Sequence, residues 1–415
     1  MENTLKKKKS FFQKMAEFFF AIYLITLYIF VDRSETVIIS QIAFIIFAGL
    51  TVLVILQKQR IHFGKNVMTV YLAFTWIFAT YFWAQNEYVA YITIKTMWQL
   101  FLLFFLVYNL FCEEENAHEY LIKCLYIAGI TLLGYAIYTY GLADVVEMMT
   151  GSRNVRLGKE INQENTFGMM NATTCIIAFY YLFYRRRFKV FHIAVLALAF
   201  LFAMSSGSRK ALLIVCIGAL FLIYKKYGIR QVYKVIAIVL VLSVVFVSVI
   251  QLPVFETINH RMEQLIKQFS GESGGDTSSQ IRTNMITDGW NLYKDRILTG
   301  FGINNYRIVS RYGTYAHNNF IEILVDTGLS GFILYYLIYW NALKNLWNMK
   351  NDVGKALLCV FVIRLMMEVA MVTYYDKLHW VLLAFFLIKP IESINNTEGE
   401  AENEISSEKI EEGCK

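Results

Sequence analysis

The sequence predicts an all-α integral membrane protein of about twelve spanning helices, with one large extracytoplasmic loop between spans 9 and 10. Three observations carry that expectation. Of 415 residues, 57% are hydrophobic and only 17% charged. The apolar residues gather in long runs instead of alternating blocks, and only two prolines are present to interrupt them. A helix needs roughly 17 to 25 apolar residues to cross a ~30 Å hydrocarbon layer, and runs of that order lie near 15–31, 36–56, 66–83, 90–111, 120–141, 165–184, 188–206, 210–226, 231–251, 328–345, 353–373 and 377–391.

The first run follows the basic stretch Lys6 to Lys9. No small-residue cleavage site comes after it, so it reads as a retained span and not a signal peptide. With the amino terminus inside, the short loops 57–65 (Lys58, Arg60, Lys65), 185–189 (Arg185, Arg186, Arg187, Lys189), 225–234 (Lys225, Lys226, Arg230, Lys234) and 344–355 also fall inside. This arrangement satisfies the positive-inside rule and makes both termini cytoplasmic. The loop 112–119 is acidic, with Glu113, Glu114, Glu115 and Glu119, but acids weigh little in that rule. The chain divides into a bundle of about nine spans (1–251), a loop with the start of the next helix (252–327), about three further spans (328–391) and a tail (392–415). The tail is rich in Glu and Ser and is expected to be disordered.

The net charge of +7 follows from this topology and gives no reason to expect nucleic acid. The six cysteines, five in or near spans (Cys112, Cys124, Cys175, Cys216, Cys359) and Cys414 in the tail, show no paired spacing for a disulfide framework or a metal site. They read as small core residues.

The outer side should be poor in Lys and Arg, yet loop 142–164 carries Arg153, Arg156 and Lys159, and "SSGSRKALL" places Arg209 and Lys210 at the mouth of a span. A charge at mid-bilayer costs at least ~2.5 to 3.5 kcal/mol, so cations kept near a membrane face usually have an anionic partner. Snorkelling to head groups explains an isolated pair; three cationic outer elements point instead to a ligand. The third element is the loop 252–316. Its first part, "VFETINHRMEQLIKQF", has Phe255, Ile258, Met262, Leu265, Ile266 and Phe269 at helical spacing. "SGESGGDTSS" then breaks the pattern. "SQIRTNMITDGWNLYKDRI" resumes it through Ile281, Met285, Trp290, Tyr293 and Ile297, with Arg282 in its first turns, and a turn follows at "TGFGINNY". In "GTYAHNNFIEILVDTGLSGF", Asn319 followed by Glu322 three residues on predicts a capping box, so that His317 stands just outside a helix start. Glu322 and Asp326 share a helical face, either as structural residues of the helix start or as partners that orient His317.

Four stretches, in order, resemble the O-antigen polymerase and O-antigen ligase superfamily of membrane glycosyltransferases: "NQENTFGMMNA", "SGSRKALL", "IRTNMITDGWNLYKDRILTGFGINNY" and "HNNFIEILVDTGLSG". The resemblance implies transfer of a glycan from a polyprenyl pyrophosphate carrier to a sugar hydroxyl at the outer face of the plasma membrane, without a metal or other cofactor. Carried over by motif, Arg209 and Arg282 would bind the pyrophosphate and His317 would act on the acceptor, while Asn165 matches a recurrent asparagine. Gln163 and Glu164 stand where a proline often precedes that asparagine. Lys210, Arg153, Arg156, Asn318, Glu322 and Tyr315 complete the expected substrate site. The implied partners are a lipid-linked oligosaccharide, membrane lipids, and flippase and chain-length regulator proteins.

The chemistry suits these residue types. A glycosyl pyrophosphate carries a good leaving group, so the protein must stabilise developing negative charge and accept one proton. Guanidinium groups give bidentate, permanently charged contacts to phosphate oxygens. A histidine of ordinary pKa ~6.5 is neutral enough at working pH to take the proton. Of the other histidines, His62 and His118 fall in inner loops, His192 in an apolar span, His260 on the first loop helix and His379 near an outer span end. Arg364 and Glu368, four apart in the eleventh run, are expected to pair within the bundle. Tyr306, Tyr312 and Tyr315 are candidates for stacking on sugars. The preferred reading is a polymerase of lipid-linked repeat units of capsule, exopolysaccharide or O-antigen. The alternatives are a ligase that moves finished glycan to another acceptor, a transporter of lipid-linked sugars, and a binding scaffold; the transporter lacks convincing halves in repeat and proline-broken helices.

Overall fold

The computed structural model describes residues 9–30, 35–141, 157–185, 187–228, 237, 241 and 277–389. All of the ninth expected span but residues 237 and 241, the first loop helix with His260, the loop arginines Arg153 and Arg156, and the tail with Cys414 lie outside the described residues. Among the described residues all regular structure is helical. The first part runs α1 (Phe11–Ile29), α2 (Val37–Lys58), α3 (Lys65–Ala79) with a 3-10 turn at Thr80–Trp83, α4 (Glu87–Phe111), α5 (Ala117–Tyr140), α6 (Glu164–Tyr180) with a π turn at Tyr181–Arg185, α7 (Lys189–Ser205) and α8 (Arg209–Tyr227). The second part is α9 (Thr277–Asp295), the one-turn α10 (Tyr306–Val309), α11 (Asn319–Asn348), α12 (Asp352–Met367) and α13 (Lys377–Leu387).

Each expected apolar run within the described residues coincides with a helix. Six of these are long and apolar enough to cross a membrane: α1, α2, α4, α5, α6 with its π turn, and α11. The others are shorter or, as in α8 with its basic residues at both ends, more charged, so only part of the expected span number is met by length and composition. Polar side chains set the starts. Ser10 accepts from Gln13 N–H at 3.2 Å, Asn86 from Val89 N–H at 3.1 Å and Asn351 from Gly354 N–H at 2.8 Å, each satisfying an amide that the helix itself leaves unpaired.

Helix α2 shows how the bundle meets its surroundings. Ser40, Ala43, Phe47, Thr51 and Val54 form a narrow buried stripe at spacings of three and four, and α2 packs against α1. Ile38, Ile42, Ile45, Leu53 and Leu56 stay exposed on the same helix. A helix apolar on every side suits a lipid environment. Inside, Phe20, Phe111 and Phe385 bring α1, α4 and α13 together with ring centroids 4.8 to 5.6 Å apart.

The two ends of the bundle differ. At one end, the acidic residues after α4 are held by the basic ends of neighbouring helices: Lys9 with Glu114 at 2.8 Å, Lys58 and His62 with Glu113 at 3.2 and 3.0 Å, and Arg185 with Glu119 at 3.3 Å. That pairing accounts for an acidic run beside basic loops. At the other end, Trp83 Nε1 donates to Thr299 O at 3.0 Å and Asn86 N–H to Asn305 Oδ1 at 2.7 Å, joining the α3–α4 turn to the chain after α9. Helix α11 bends within its length at Gly328, whose φ of 68° takes the backbone out of the helical region. A Cβ there would run into the main chain of Leu298.

Three local expectations are corrected. The N-cap of α11 is Asn318, one residue earlier than the capping box placed it, accepting from Ile321 N–H at 3.0 Å. The inward face of α9 is set by Met285 and Gly289, with Gly289 close against Ile321, whereas Ile281 and Trp290 are exposed. Arg364 pairs with Asp376 at 2.6 Å instead of Glu368. The Glu368 carboxylate accepts hydroxyl hydrogens from Tyr336 and Thr373, each at 2.8 Å, and from Tyr339.

Candidate active site

The end opposite the acidic loop contains a cavity of about 600 Å³ among the ends of α1, α6, α8, α9, α12 and α13 and the loop before α11. Of the residues expected from sequence, Asn165, Lys210, Arg282, Tyr315 and His317 line it. Arg209 does not. Neighbours on a helix point about 100° apart, so the phase that turns Lys210 into the cavity turns Arg209 away from it.

His317 stands on a heavily determined loop. Its backbone is left-handed, φ 53°, a conformation that costs a non-glycine residue energy and persists only where surroundings enforce it. Three contacts enforce it. Ala316 N–H donates to Glu322 Oε2 at 2.5 Å on the preceding side, Asn319 N–H donates to Glu368 O at 2.8 Å on the following side, and Asn318 Nδ2 donates to Val369 O at 3.0 Å. The Tyr315 and His317 rings lie 4.2 Å apart between centroids. Glu322 and Asn318 thus act through backbone and cap contacts, and neither lines the cavity. Asp326, fully buried, accepts from Asn304 N–H and Tyr306 N–H at 2.8 Å each and from Tyr374 O–H at 2.9 Å, which ties the loop after α9 and the α12–α13 connection to the same turns of α11.

Arg282 is placed by the packing of α9 on α11 and by Tyr306, whose hydroxyl donates to Met285 O at 2.9 Å. Tyr306 is therefore buried and committed, and Tyr312 donates to Asp288 at 2.6 Å; of the three tyrosines only Tyr315 faces the cavity. Lys210 is the second residue of α8, behind the cap Ser208, and its ammonium donates to Ala370 O.

Burial, and then the Arg282 and Lys210 charges, hold the His317 imidazole down at about 4. Protonating it would add a third positive charge to a pair already in place, so the ring is neutral throughout the physiological range. Among the described residues no group hydrogen-bonds its ring, which leaves both nitrogens for a substrate. No group of three or more His, Cys, Asp or Glu capable of holding a metal occurs among the described residues.

The cavity contains residues that the sequence did not single out for it. Arg364, Asp376 and Lys377 line its wall with Tyr28, Met169 and Met371. The available signal was charge at the mouth of a span, the same that drew attention to Arg209 and Lys210. His379, two residues further, is buried and bonded to the hydroxyls of Tyr335 and Tyr339 at 3.0 Å each. His192 is bonded to Tyr126 at 2.8 Å within the bundle.

Arg282 and His317 line one cavity beside the start of α8, whereas Arg209, the other arginine that the resemblance implies, does not line it. Residues 193–336 match the family model described as O-antigen ligase. That stretch includes Arg209, Lys210, Arg282 and His317, and agrees with the O-antigen polymerase and ligase superfamily; Asn165 and the Arg364 group fall outside it. The O-antigen ligase match supports an activity of the ligase or polymerase type on lipid-linked glycans at a membrane. No curated protein matches the chain.

Proposed function

We propose that the protein polymerises lipid-linked polysaccharide repeat units, moving the growing glycan from a polyprenyl pyrophosphate onto a sugar hydroxyl of the next unit at the extracytoplasmic face of the plasma membrane, with both termini cytoplasmic. The observation that supports this reading best is the convergence of Arg282, Lys210 and a neutral His317 on one cavity at the membrane-helix ends. In the reaction the acceptor oxygen attacks the anomeric carbon, the bond from that carbon to the phosphate oxygen breaks, and polyprenyl pyrophosphate departs with the electron pair. The acceptor proton passes to His317. Arg282 and Lys210 hold the phosphate oxygens and stabilise the charge that develops as the bond opens. Arg209 adds charge at the same helix start from outside the lining. Asn165 and Tyr315 contribute a polar and an aromatic wall for the sugars. A flippase to deliver the unit and a chain-length regulator are the protein partners this reading calls for.

A second reading follows from the printed description of the matched family: a ligase transferring finished glycan to a different acceptor. Incubation of purified protein in detergent with a lipid-linked repeat unit, without added metal, separates the two. A ladder of products is expected; one transfer to an added foreign acceptor and no ladder establishes the ligase, and no transfer to either acceptor, with transbilayer movement of the unit when the protein is placed in vesicles, refutes both. His317→Ala should lose the ladder while donor affinity stays within about threefold, because a neutral ring contributes little to phosphate binding. An undiminished ladder in that variant would remove His317 from the chemistry.

A further inference from the structure

Two carboxyl groups are enclosed in the frame behind His317. Glu322 and Asp326 sit one turn apart at the start of α11, ahead of the Gly328 bend and of the expected span that begins there, and both are fully buried. Two such carboxyls on one helix face do not both stay ionised without a cation between them.

Their hydrogen bonds are unequal. Asp326 uses both oxygens: Oδ1 accepts from Tyr306 N–H, and Oδ2 accepts from Asn304 N–H and Tyr374 O–H. Glu322 uses one. Its Oε2 accepts from Ala316 N–H, while Oε1, equally buried, has no partner among the described residues. Three donors suit an anion. An oxygen with none suits a protonated carboxyl, because a neutral hydroxyl left unmet costs far less than an unpaired buried charge. Around Glu322 stand Tyr306 and Arg307 of α10 and Tyr374 and Tyr375 of the α12–α13 connection. Arg307 makes no ion pair with it, and Asp288 of α9 is committed to Arg311 and Tyr312 at 2.8 and 2.6 Å. Burial, then the Asp326 charge, pushes Glu322 well above the ordinary carboxylate range. Burial takes Asp326 up to about 7, against the pull of its donors.

We infer that Glu322 is a positioning residue that works as a neutral carboxylic acid: it keeps the proton of the Glu322–Asp326 pair at neutral pH, fastens the left-handed His317 turn through Ala316, and adds no negative charge beside a cavity built for an anion. The benefit to anion binding rests on the donor assignment proposed above, whereas the location of the proton does not depend on it. Loss of that proton sets two charges side by side behind His317. The turn then loosens and transfer declines at alkaline pH, although the imidazole stays neutral.

Thermal melting of the full chain in detergent from pH 5 to pH 8 tests it. The unfolded chain releases a glutamate proton near pH ~4.3 and the folded chain keeps it, so above that value each pH unit costs wild type up to about tenfold in its folding equilibrium. Glu322→Gln keeps the acceptor oxygen and cannot ionise. Its melting temperature relative to wild type should climb as the pH rises, and Asp326→Asn, which weakens the acceptor of three donors, should melt below it throughout. The infrared spectrum of wild type minus Glu322→Gln at pH 7 should contain a protonated-carboxyl band. A carboxylate band in its place overturns the inference, as does a relative melting temperature that stays flat or falls with pH, or Glu322→Gln unfolding where Asp326→Asn does not. In the ladder assay Glu322→Gln should carry the neutral-pH kcat to higher pH with KM unchanged, while Glu322→Leu should lose kcat by about tenfold or more at every pH. Equal losses in the two variants overturn the positioning role. If wild type makes no ladder while the melting and infrared results hold, only the donor reading fails.

Discussion

The depressed pKa of His317 has a consequence that chemical modification can measure. Burial, with the Arg282 and Lys210 charges added to it, holds the ring at about 4. At pH 5.5 such a histidine is almost wholly neutral, whereas an ordinary histidine with pKa ~6.5 is about one-tenth neutral, so the reactive fraction differs by about tenfold. Acylation by diethyl pyrocarbonate requires the neutral ring, and peptide mapping reads His317 separately from the other histidines. In wild type the His317 rate should hold steady from pH 8 down to pH 5. Arg282→Gln removes one of the two cations and should move the midpoint upward by about one unit or more, so that the rate begins to fall already between pH 6 and 5. Inorganic pyrophosphate should shift the midpoint in the same direction by neutralising the same charges. On the proposed mechanism the donor would thereby strengthen the base. A wild-type midpoint near 6.5, or one that neither Arg282→Gln nor pyrophosphate moves, would show that His317 does not share a cavity with the cations.

Two further predictions concern the frame behind the site. Asp326→Ala leaves three donors, on Asn304, Tyr306 and Tyr374, without an acceptor, the last two of them buried; at about 1 to 3 kcal/mol for each buried donor, a loss of at least about 2 kcal/mol is expected, read as a lowered melting temperature in detergent. Gly328→Ala puts a methyl group into the Leu298 main chain at a left-handed φ and should destabilise by more than about 1 kcal/mol, while Gly49→Ala, inside α2 and meeting nothing within 4 Å, should leave the melting temperature unchanged or raise it slightly.

The helices were legible because long apolar runs leave the backbone one way to satisfy itself in lipid. Their rotational phase was harder to read. "SRK" announces cations at a span mouth, but only three-dimensional packing decides that Lys210 and not Arg209 faces the cavity. Two successive asparagines can each cap a helix, and Asn318 took the role because Asn319 turns its Oδ1 to Thr373 N–H and Tyr374 N–H. Spacing suggested an Arg364–Glu368 pair, yet Asp376, twelve residues on, offered a carboxylate while three hydroxyls already supplied Glu368. The apolar periodicity of α9 was real but misphased, since Gly289, invisible to a hydrophobicity pattern, marks where α9 comes closest to Ile321 of α11. The Arg364–Lys377 group was not legible as a site because its parts are drawn from separate helix ends, and no local pattern joins them to Arg282.

The polar side of the first turns of α11 anchors two segments that are far apart in the chain. Asp326 secures residues 304–306, while Asn319 and Asp326 secure residues 373–374. Anyone grafting the region around the cavity onto another scaffold would therefore have to transplant it as a cassette ending after Asp326, together with its receptor between α12 and α13. Cutting at the histidine would separate His317 from its footings.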